Sequence, residues 1–286
     1  MYSKITYERI LNKIMKVLVW NINQRANTNS KNEIPPFIAD ILLNGELLAD
    51  IIILTEFAKK TVQNFDKFFS QLKESAYNLF TTDNANNNVL IAINRKIAVT
   101  EIFTWNSSYD SYLPDYIDVT FSVGETLITV IGARILVGDY KYPDEVDEEM
   151  QKRYLQNQNI INRILLIKGR GSLIIGGGDF NTGRRNNKNS YWNKEILEGK
   201  LQSLGINLIT PDGFSHEMHK KEDYRGCPDH LFASRIFSVS VEPYNWDFAN
   251  REEYNSYKDK EGNWCKPIDS PYPDHGMIIA DLRIDL

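Results

Sequence analysis

The sequence predicts a single mixed α/β domain, and three observations carry that expectation. Short runs of β-branched and aromatic residues recur along the chain, separated by stretches with helical character. Several of these runs alternate polar with apolar residues, as in "YIDVTFSV" and "GMIIADLRI", which suits sheets whose two faces differ in environment. No repeat, low-complexity tract or linker breaks the pattern over 286 residues.

In chain order the strand-like segments are 16–20, 50–55, 88–93, 116–122, 126–135, 172–175, 230–234 and 276–284. The helical segments are 36–44, 61–75, 143–168 and 191–204. The third of these is the plainest. Pro143 stands at its start, and Asp144, Glu145, Asp147, Glu148 and Glu149 crowd the turns where the helix dipole favours negative charge. That accounts for the acidic cluster better than a metal site does. Residues 1–14 read as a short helical leader and 15–286 as the domain, with Met15 an alternative start. The longest stretch without a clear element is 243–273, about thirty residues rich in Tyr, Trp, Asn, Lys and Asp; loops of that length are often functional.

Composition excludes several classes. Hydrophobic residues make up 42% and charged residues 25%, enough for a sizeable core and too apolar for disorder. No apolar run approaches the ~20 residues that a membrane-spanning helix needs. The first residues carry Lys4, Glu8, Arg9 and Lys13 and lack the apolar stretch of a signal peptide. Two cysteines, Cys227 and Cys265, provide neither a disulfide framework nor a four-cysteine zinc site. A reducing cytoplasm is the expected compartment. A net charge of −5 argues against coating nucleic acid by bulk attraction, though not against an enzyme with local basic residues.

The segment "LIIGGGDFNTGRRN", from Leu173 to Asn186, marks a chemical site. An apolar strand ends in Gly176, Gly177 and Gly178, which permit a tight turn or the close approach of a ligand. Asp179 and Asn181 then emerge at its carboxyl end, a common place for ligands in α/β proteins. A phosphate loop is excluded, because Arg184 and Arg185 replace the Lys and Ser/Thr of G-x-x-x-x-G-K-[ST], and G-x-G-x-x-G is absent. Four other strand ends carry polar groups: Asn21 and Asn23 in "KVLVWNIN", Glu56 in "DIIILTEF", Asp229 in "GCPDHLFAS", and Asp274 with His275 in "SPYPDHGMIIADL". "HEMH" at His216 to His219 has a spacing that could bind zinc, but no third or fourth ligand at suitable spacing follows, so it reads as a polar loop. Cys227 reads as a bystander, and Trp20 and Phe57 as core.

The ordered set "WNIN", "LTE", "GGDFN", "PDHLFAS" and "PDH", running from Trp20 to His275, resembles the exonuclease–endonuclease–phosphatase superfamily of metal-dependent phosphoesterases, which includes deoxyribonuclease I, exonuclease III, abasic-site endonucleases, inositol polyphosphate phosphatases and sphingomyelinases. The resemblance implies a four-layer sandwich, two mixed β-sheets packed face to face and flanked by helices. It also implies hydrolysis of a phosphate ester with Mg²⁺, Mn²⁺ being the alternative. By the match, Glu56 is the principal metal ligand, with Asn23 and Asp274 nearby. Asp179 resembles the residue that deprotonates the attacking water, and Asn181 the one that positions the water or the phosphate. His275 would donate to a phosphate oxygen, with Asp229 orienting its ring, and Asn21 would orient the carboxylates around it. Arg134 departs from the family pattern, which places His or Tyr there. It either clamps phosphate oxygens or pairs with an acid such as Asp139.

Basic and aromatic residues cluster near these motifs. Arg184, Arg185 and Lys188 are joined by Tyr191 and Trp192; Lys220, Lys221 and Arg225 precede Asp229; and Trp264 lies in the long loop. Converging on one site, they suit a nucleic-acid strand, through phosphate contacts and base stacking. A nuclease is the leading expectation. A phosphatase or phosphodiesterase of a small or lipid phosphate ester comes second, and a non-catalytic binding protein third.

Overall fold

The computed structural model describes residues 14–22, 36–45, 47–57, 65–75, 77–83, 88–105, 110–135, 146–182, 194–216, 226–250, 257–258, 264–265 and 273–284. In chain order the elements are β1 (Met15–Asn21), α1 (Pro36–Leu42), β2 (Ile51–Phe57), α2 (Phe65–Glu74), β3 (Tyr77–Thr81), β4 (Asn88–Asn94), β5 (Val99–Trp105), β6 (Asp115–Val123), β7 (Thr126–Arg134), α3 (Val146–Gly169), β8 (Leu173–Asp179), α4 (Lys194–Ser203), β9 (Ile206–Ile209), β10 (Asp229–Ser234), β11 (Phe237–Val241), a 3-10 turn (Asp247–Asn250), β12 (Tyr257–Lys258), β13 (Trp264–Cys265) and β14 (Ile278–Ile284).

Two six-stranded sheets form, in the orders β11-β14-β1-β2-β4-β3 and β5-β6-β7-β8-β10-β9. Each has one parallel pair at its centre, β1 with β2 and β7 with β8, and antiparallel neighbours on both sides. The strands explain their own apolar runs. In β1, Val17 and Val19 face the other sheet, whereas Leu18 and Trp20 face α1; in β2 and β4 the same alternation holds. Opposite them, Ile117, Val119, Phe121, Ile128, Val130, Ile175 and Leu231 complete the core between the sheets. Helices α3 and α4 cover the outer face of the second sheet with Ile160, Ile164, Leu197 and Leu201. Arg163 pins α3 there, bonding Asp118 Oδ2 at 2.8 Å with its guanidinium 3.7 Å above the Phe103 ring. The four layers are therefore helix, sheet, sheet, helix, as expected. Among the described residues, no helix is long and apolar enough to cross a membrane.

Three local expectations need correction. The strand at Leu173 does not stop before the glycines but runs through them to Asp179. A Cβ on Gly176 would lie 2.2 Å from the Phe232 ring, on Gly177 2.7 Å from Val19 Cγ2, and on Gly178, whose φ is 142°, 1.9 Å from the Ala133 carbonyl oxygen. These glycines make room for neighbouring strands rather than for a tight turn or a ligand. Second, the last strand begins at Ile278 and not at Gly276, whose N–H bonds the Ser215 carbonyl instead. Third, the chain between 243 and 273 is not featureless, because it contains the 3-10 turn and the β12–β13 hairpin. The periodicity also missed β3, β5, β9 and β11. Three of these, β3, β5 and β9, are edge strands of mixed exposure whose alternation is diluted by polar residues, and the fourth edge is β11.

Candidate functional site

The site lies where the inner faces of both sheets run out, at the carboxyl ends of the two parallel pairs. Strand register assembles half of it. Asp115 sits opposite Arg134, Arg134 opposite Asp179, and Asp179 opposite Asp229, on β6, β7, β8 and β10 in turn. All four share the parity of Ile117, Ile128, Ile175 and Leu231, so their side chains face the other sheet. All four are buried.

The other sheet supplies Asn21 and Glu56. Asn21 has the parity of Val17 and Val19, and its side-chain amide donates to Asp179 Oδ2 at 3.0 Å. Glu56 reaches the site by a different device. The β2–β4 register shifts between Leu54 and Phe57, and Glu56 adopts a φ of 53°, in the left-handed region that non-glycine residues avoid. The extra residue lets Phe57 return to the helix side, where it packs on Phe68, while Glu56 turns toward the second sheet. Backbone strain of this kind clusters at functional sites.

Arg134 reaches across to Glu56. Its Nε and Nη2 both donate to Oε1, at 3.0 and 2.8 Å, and its Nη1 lies 3.5 Å from Asp115 Oδ2. Burial alone would lower the guanidinium pKa, but Glu56, Asp115 and Asp179 outweigh it and hold Arg134 charged. The acid partner is thus Glu56, with Asp115 behind it; Asp139 falls outside the described residues.

Asp179 has its other oxygen, Oδ1, accepting from the Asn181 backbone N–H at 2.9 Å. Asn181 has a φ of 47° and spends its side-chain amide on the Ile135 carbonyl at 2.7 Å, which locks the turn after β8. Burial, reinforced by the facing Asp229 carboxylate, pushes the Asp179 pKa up to about 6, against the opposing pull of His275 and Arg134. A carboxylate so tuned accepts a proton from water more readily than a surface one.

His275 completes the group. Its Nδ1 donates to Asp229 Oδ2 at 2.7 Å, and its Nε2 lies 3.7 Å from Asp274 Oδ1. Burial pulls its pKa down, but Asp229, Asp274 and Asp179 together raise it to about 10. Trp20, read from sequence as core, is fully buried and also donates Nε1–H to the His275 carbonyl at 2.8 Å, which ties the segment before β14 to β1. Tyr244 OH bonds the Asp229 carbonyl at 2.6 Å from the other side.

Sequence reasoning missed two site residues. Asp115 could have been found by counting outward from the Gly124–Glu125 turn, which sets it opposite Arg134. His216 could not. Its Nε2 lies 3.7 Å from Asp274 Oδ2 and its ring centroid 4.7 Å from that of His275, because the chain at 216 bridges both Gly226 and His275. The spacing around "HEMH" gives no sign of this, because Asp274 and His275 come to His216 from far along the chain. Asn23, Arg184, Arg185, Tyr191, Trp192 and Arg225 fall outside the described residues. Trp264 pairs with Lys258 in the β12–β13 hairpin, and only its backbone is described.

A divalent cation on Glu56, as the family resemblance implies, would share that carboxylate with Arg134. One of its oxygens takes two guanidinium donors, and any cation on that carboxylate would face the fixed charge of Arg134 at short range.

The architecture, with strand ends converging between two sheets, is that of the exonuclease–endonuclease–phosphatase superfamily, and the chain has this fold. Three solved structures illustrate the likeness. TDP2 from D. rerio, complexed with single strand DNA product, is 10% identical with a TM-score of 0.61, over 95% of this chain and 100% of that one. NExo, a 3′ phosphatase from Neisseria bound to product DNA hairpin, is 14% identical with a TM-score of 0.60, over 95% and 100%. An endonuclease/exonuclease/phosphatase from Beutenbergia cavernae is 13% identical with a TM-score of 0.60, over 95% and 72%. No protein-family model and no curated protein sequence matches the chain.

Proposed function

We propose that this protein is a phosphodiester hydrolase, and that its substrate is a nucleic acid. The observation that carries the reading is the opposition of two unlike groups across one buried cleft. Asp179, held by Asn21 and raised toward neutrality, faces the Asp229–His275 pair. A phosphate ester repels nucleophiles and has a poor leaving group, so hydrolysis needs a base for water and positive charge on the phosphoryl oxygens. Asp179 is the base. His275, kept cationic by Asp229, donates from Nε2 to a non-bridging oxygen, and Arg134 adds fixed positive charge beside Asp179. Asn21 and Asn181 hold Asp179 in one orientation, so the reaction rests on positioning and electrostatics with no covalent intermediate.

The nucleic-acid part is supported by the two similar structures whose ligands are DNA products. The basic and aromatic residues from Arg184 to Trp192 and around Arg225 and Trp264 are consistent with it. A second reading, a binding protein without turnover, is favoured by one observation, the Arg134–Glu56 pair that neutralises the family's metal-ligand position. A small or lipid phosphate ester would meet the same machinery as a nucleic acid.

One experiment separates these. Hydrolysis is measured on single- and double-stranded DNA, abasic DNA, RNA, inositol phosphates and sphingomyelin, with and without Mg²⁺, Mn²⁺ or Zn²⁺, for the native protein and Asp179→Asn. Cleavage of a nucleic acid that Asp179→Asn abolishes is expected. Turnover of inositol phosphates or sphingomyelin alone transfers the reading to small or lipid esters. Inactivity across the panel with tight nucleic-acid binding favours the non-catalytic reading.

A further inference from the structure

Five buried carboxylates, Glu56, Asp115, Asp179, Asp229 and Asp274, line the described site. Arg134 serves Glu56 and Asp115 on one side of Asp179, whereas Asp274 lies on the other side between two imidazoles. We propose that His216, Asp274 and His275 bind a divalent transition-metal ion of the Zn²⁺ or Mn²⁺ class, in place of a Mg²⁺ on Glu56. This rests on the reading of the site as a phosphoesterase centre, and it adds which cation would serve that centre and where.

The geometry is close to a finished site. One ligand atom from each of the three residues lies within 4.8 Å of the others. Both histidine Nε2 atoms stand 3.7 Å from an Asp274 oxygen, Oδ2 for His216 and Oδ1 for His275. Ligands at about 2.0–2.2 Å from one ion in tetrahedral array are separated by about 3.4 Å, so small side-chain adjustments suffice. The second layer is already in place. Asp229 takes the Nδ1 proton of His275 at 2.7 Å, which directs Nε2 at Asp274, the carboxylate–histidine arrangement that orients metal ligands; the ion displaces the Nε2 proton to solvent and would then supply the positive charge that the imidazolium supplies in the metal-free site.

The backbone is fixed as well. Gly276 N–H bonds the Ser215 carbonyl at 2.7 Å, and His216 N–H bonds the Gly226 carbonyl at 3.1 Å. A Cβ on Gly276 would lie 2.7 Å from Trp246 Nε1, so close packing holds the segments carrying His216 and His275 together. Asp274 and His275 are buried, and His216 is partly open, which leaves room for water or a phosphate oxygen on the remaining positions.

Ligand chemistry selects the ion. Mg²⁺ prefers oxygen ligands and parts reluctantly with water, whereas two imidazoles and one carboxylate suit Zn²⁺, Mn²⁺, Fe²⁺ or Co²⁺. Arg134 adds selectivity by its position, because its guanidinium already supplies the charge beside Glu56 that a Mg²⁺ there would supply.

Co²⁺ is the probe. Metal-stripped protein is titrated with Co²⁺ and followed by visible absorption, then by displacement with Zn²⁺, for native protein, His216→Ala, His216→Gln and Glu56→Gln. Far-ultraviolet circular dichroism confirms folding. One equivalent binding to native protein and Glu56→Gln alike, with affinity falling at least about 10-fold in both His216 variants, is the expected result. Loss of binding in Glu56→Gln with normal binding in His216→Ala overturns the site, as does no binding to native protein. Hydrolysis is read separately. Mg²⁺-supported turnover undiminished in His216→Ala overturns the inference and leaves the phosphoesterase reading standing. Co²⁺ binding through His216 without hydrolysis of any ester does the reverse.

Discussion

Arg134 and Glu56 meet across the gap between the two sheets, with two guanidinium donors converging on a single carboxylate oxygen. Each comes from a different sheet, and neither is accessible to solvent to any useful extent. Removing one partner of such a pair leaves the other buried and uncompensated. Arg134→Ala is therefore expected to destabilise the fold by about 3–5 kcal/mol, seen as a lowered denaturation midpoint. Surviving protein should lose turnover more than substrate affinity, since fixed charge beside Asp179 acts on the transition state. A midpoint within error of the native one would show that the pair is not formed.

Asp179→Asn is expected to lower hydrolysis by about 10²–10⁴-fold, the range for loss of a general base. Stability should change little, because relief of the facing Asp179–Asp229 carboxylates is offset by the loss of one acceptor, the single amide oxygen serving either Asn21 or the Asn181 N–H but not both. Melting curves and initial rates on the same preparation check both halves.

The rate should depend on pH through the same residue. A base must be ionised to act, and the Asp179 pKa is raised to about 6 by burial and by Asp229. kcat/KM is expected to rise with pH through about 6 and to flatten above it. A profile already flat from pH 4.5 upward would remove Asp179 from the role.

His230 gives a stability prediction independent of the site chemistry. It is buried between Thr182 and Thr210, and burial, with a smaller contribution from Lys194, lowers its pKa to about 3. The unfolded chain takes up this proton near the ordinary 6.5, whereas the native chain does not until far lower pH. Its contribution is full above pH 6.5 and declines as pH falls from there toward 3. His230→Gln should flatten the acid side of the stability curve, measured by denaturant titration between pH 4 and 7.

Gly178→Ala tests the packing of the strand that carries Asp179. Its φ of 142° and the Ala133 carbonyl at 1.9 Å from any Cβ leave no room for a methyl without moving the β7–β8 pair. The backbone strain alone is worth about 1–3 kcal/mol, and the contact with backbone oxygen adds to it. A loss of activity larger than that of a Gly45→Ala control, where nothing lies within 4 Å, is expected.

Much of this protein was open to reading before any coordinates. Strands buried on both faces announce themselves as continuous apolar runs, and polar residues at their ends stand out against them; "VLVWN", "IIILTE" and "LFAS" are of this kind. Asn21, Glu56, Asp179, Asp229 and His275 stood out as candidates by residue type and by the family resemblance that their order along the chain carries. Edge strands such as Tyr77–Thr81 and Val99–Trp105 were invisible because their polar positions face solvent and their pattern resembles loop.

The chain itself determined a two-faced α/β core and the set of polar groups at its strand ends, because period and composition are local properties. Tertiary structure alone decided which of those groups touch. Glycines that looked suited to a ligand proved to accommodate Phe232, Val19 and Ala133, since strand packing depends on residues far away in sequence. Glu56, read as a metal ligand, was turned by a bulge onto Arg134, while His216, read as loop, was carried by backbone pairing to Asp274 and His275. Those outcomes depend on register and on the few ångströms between two sheets, and neither is written in the spacing of residues along the chain.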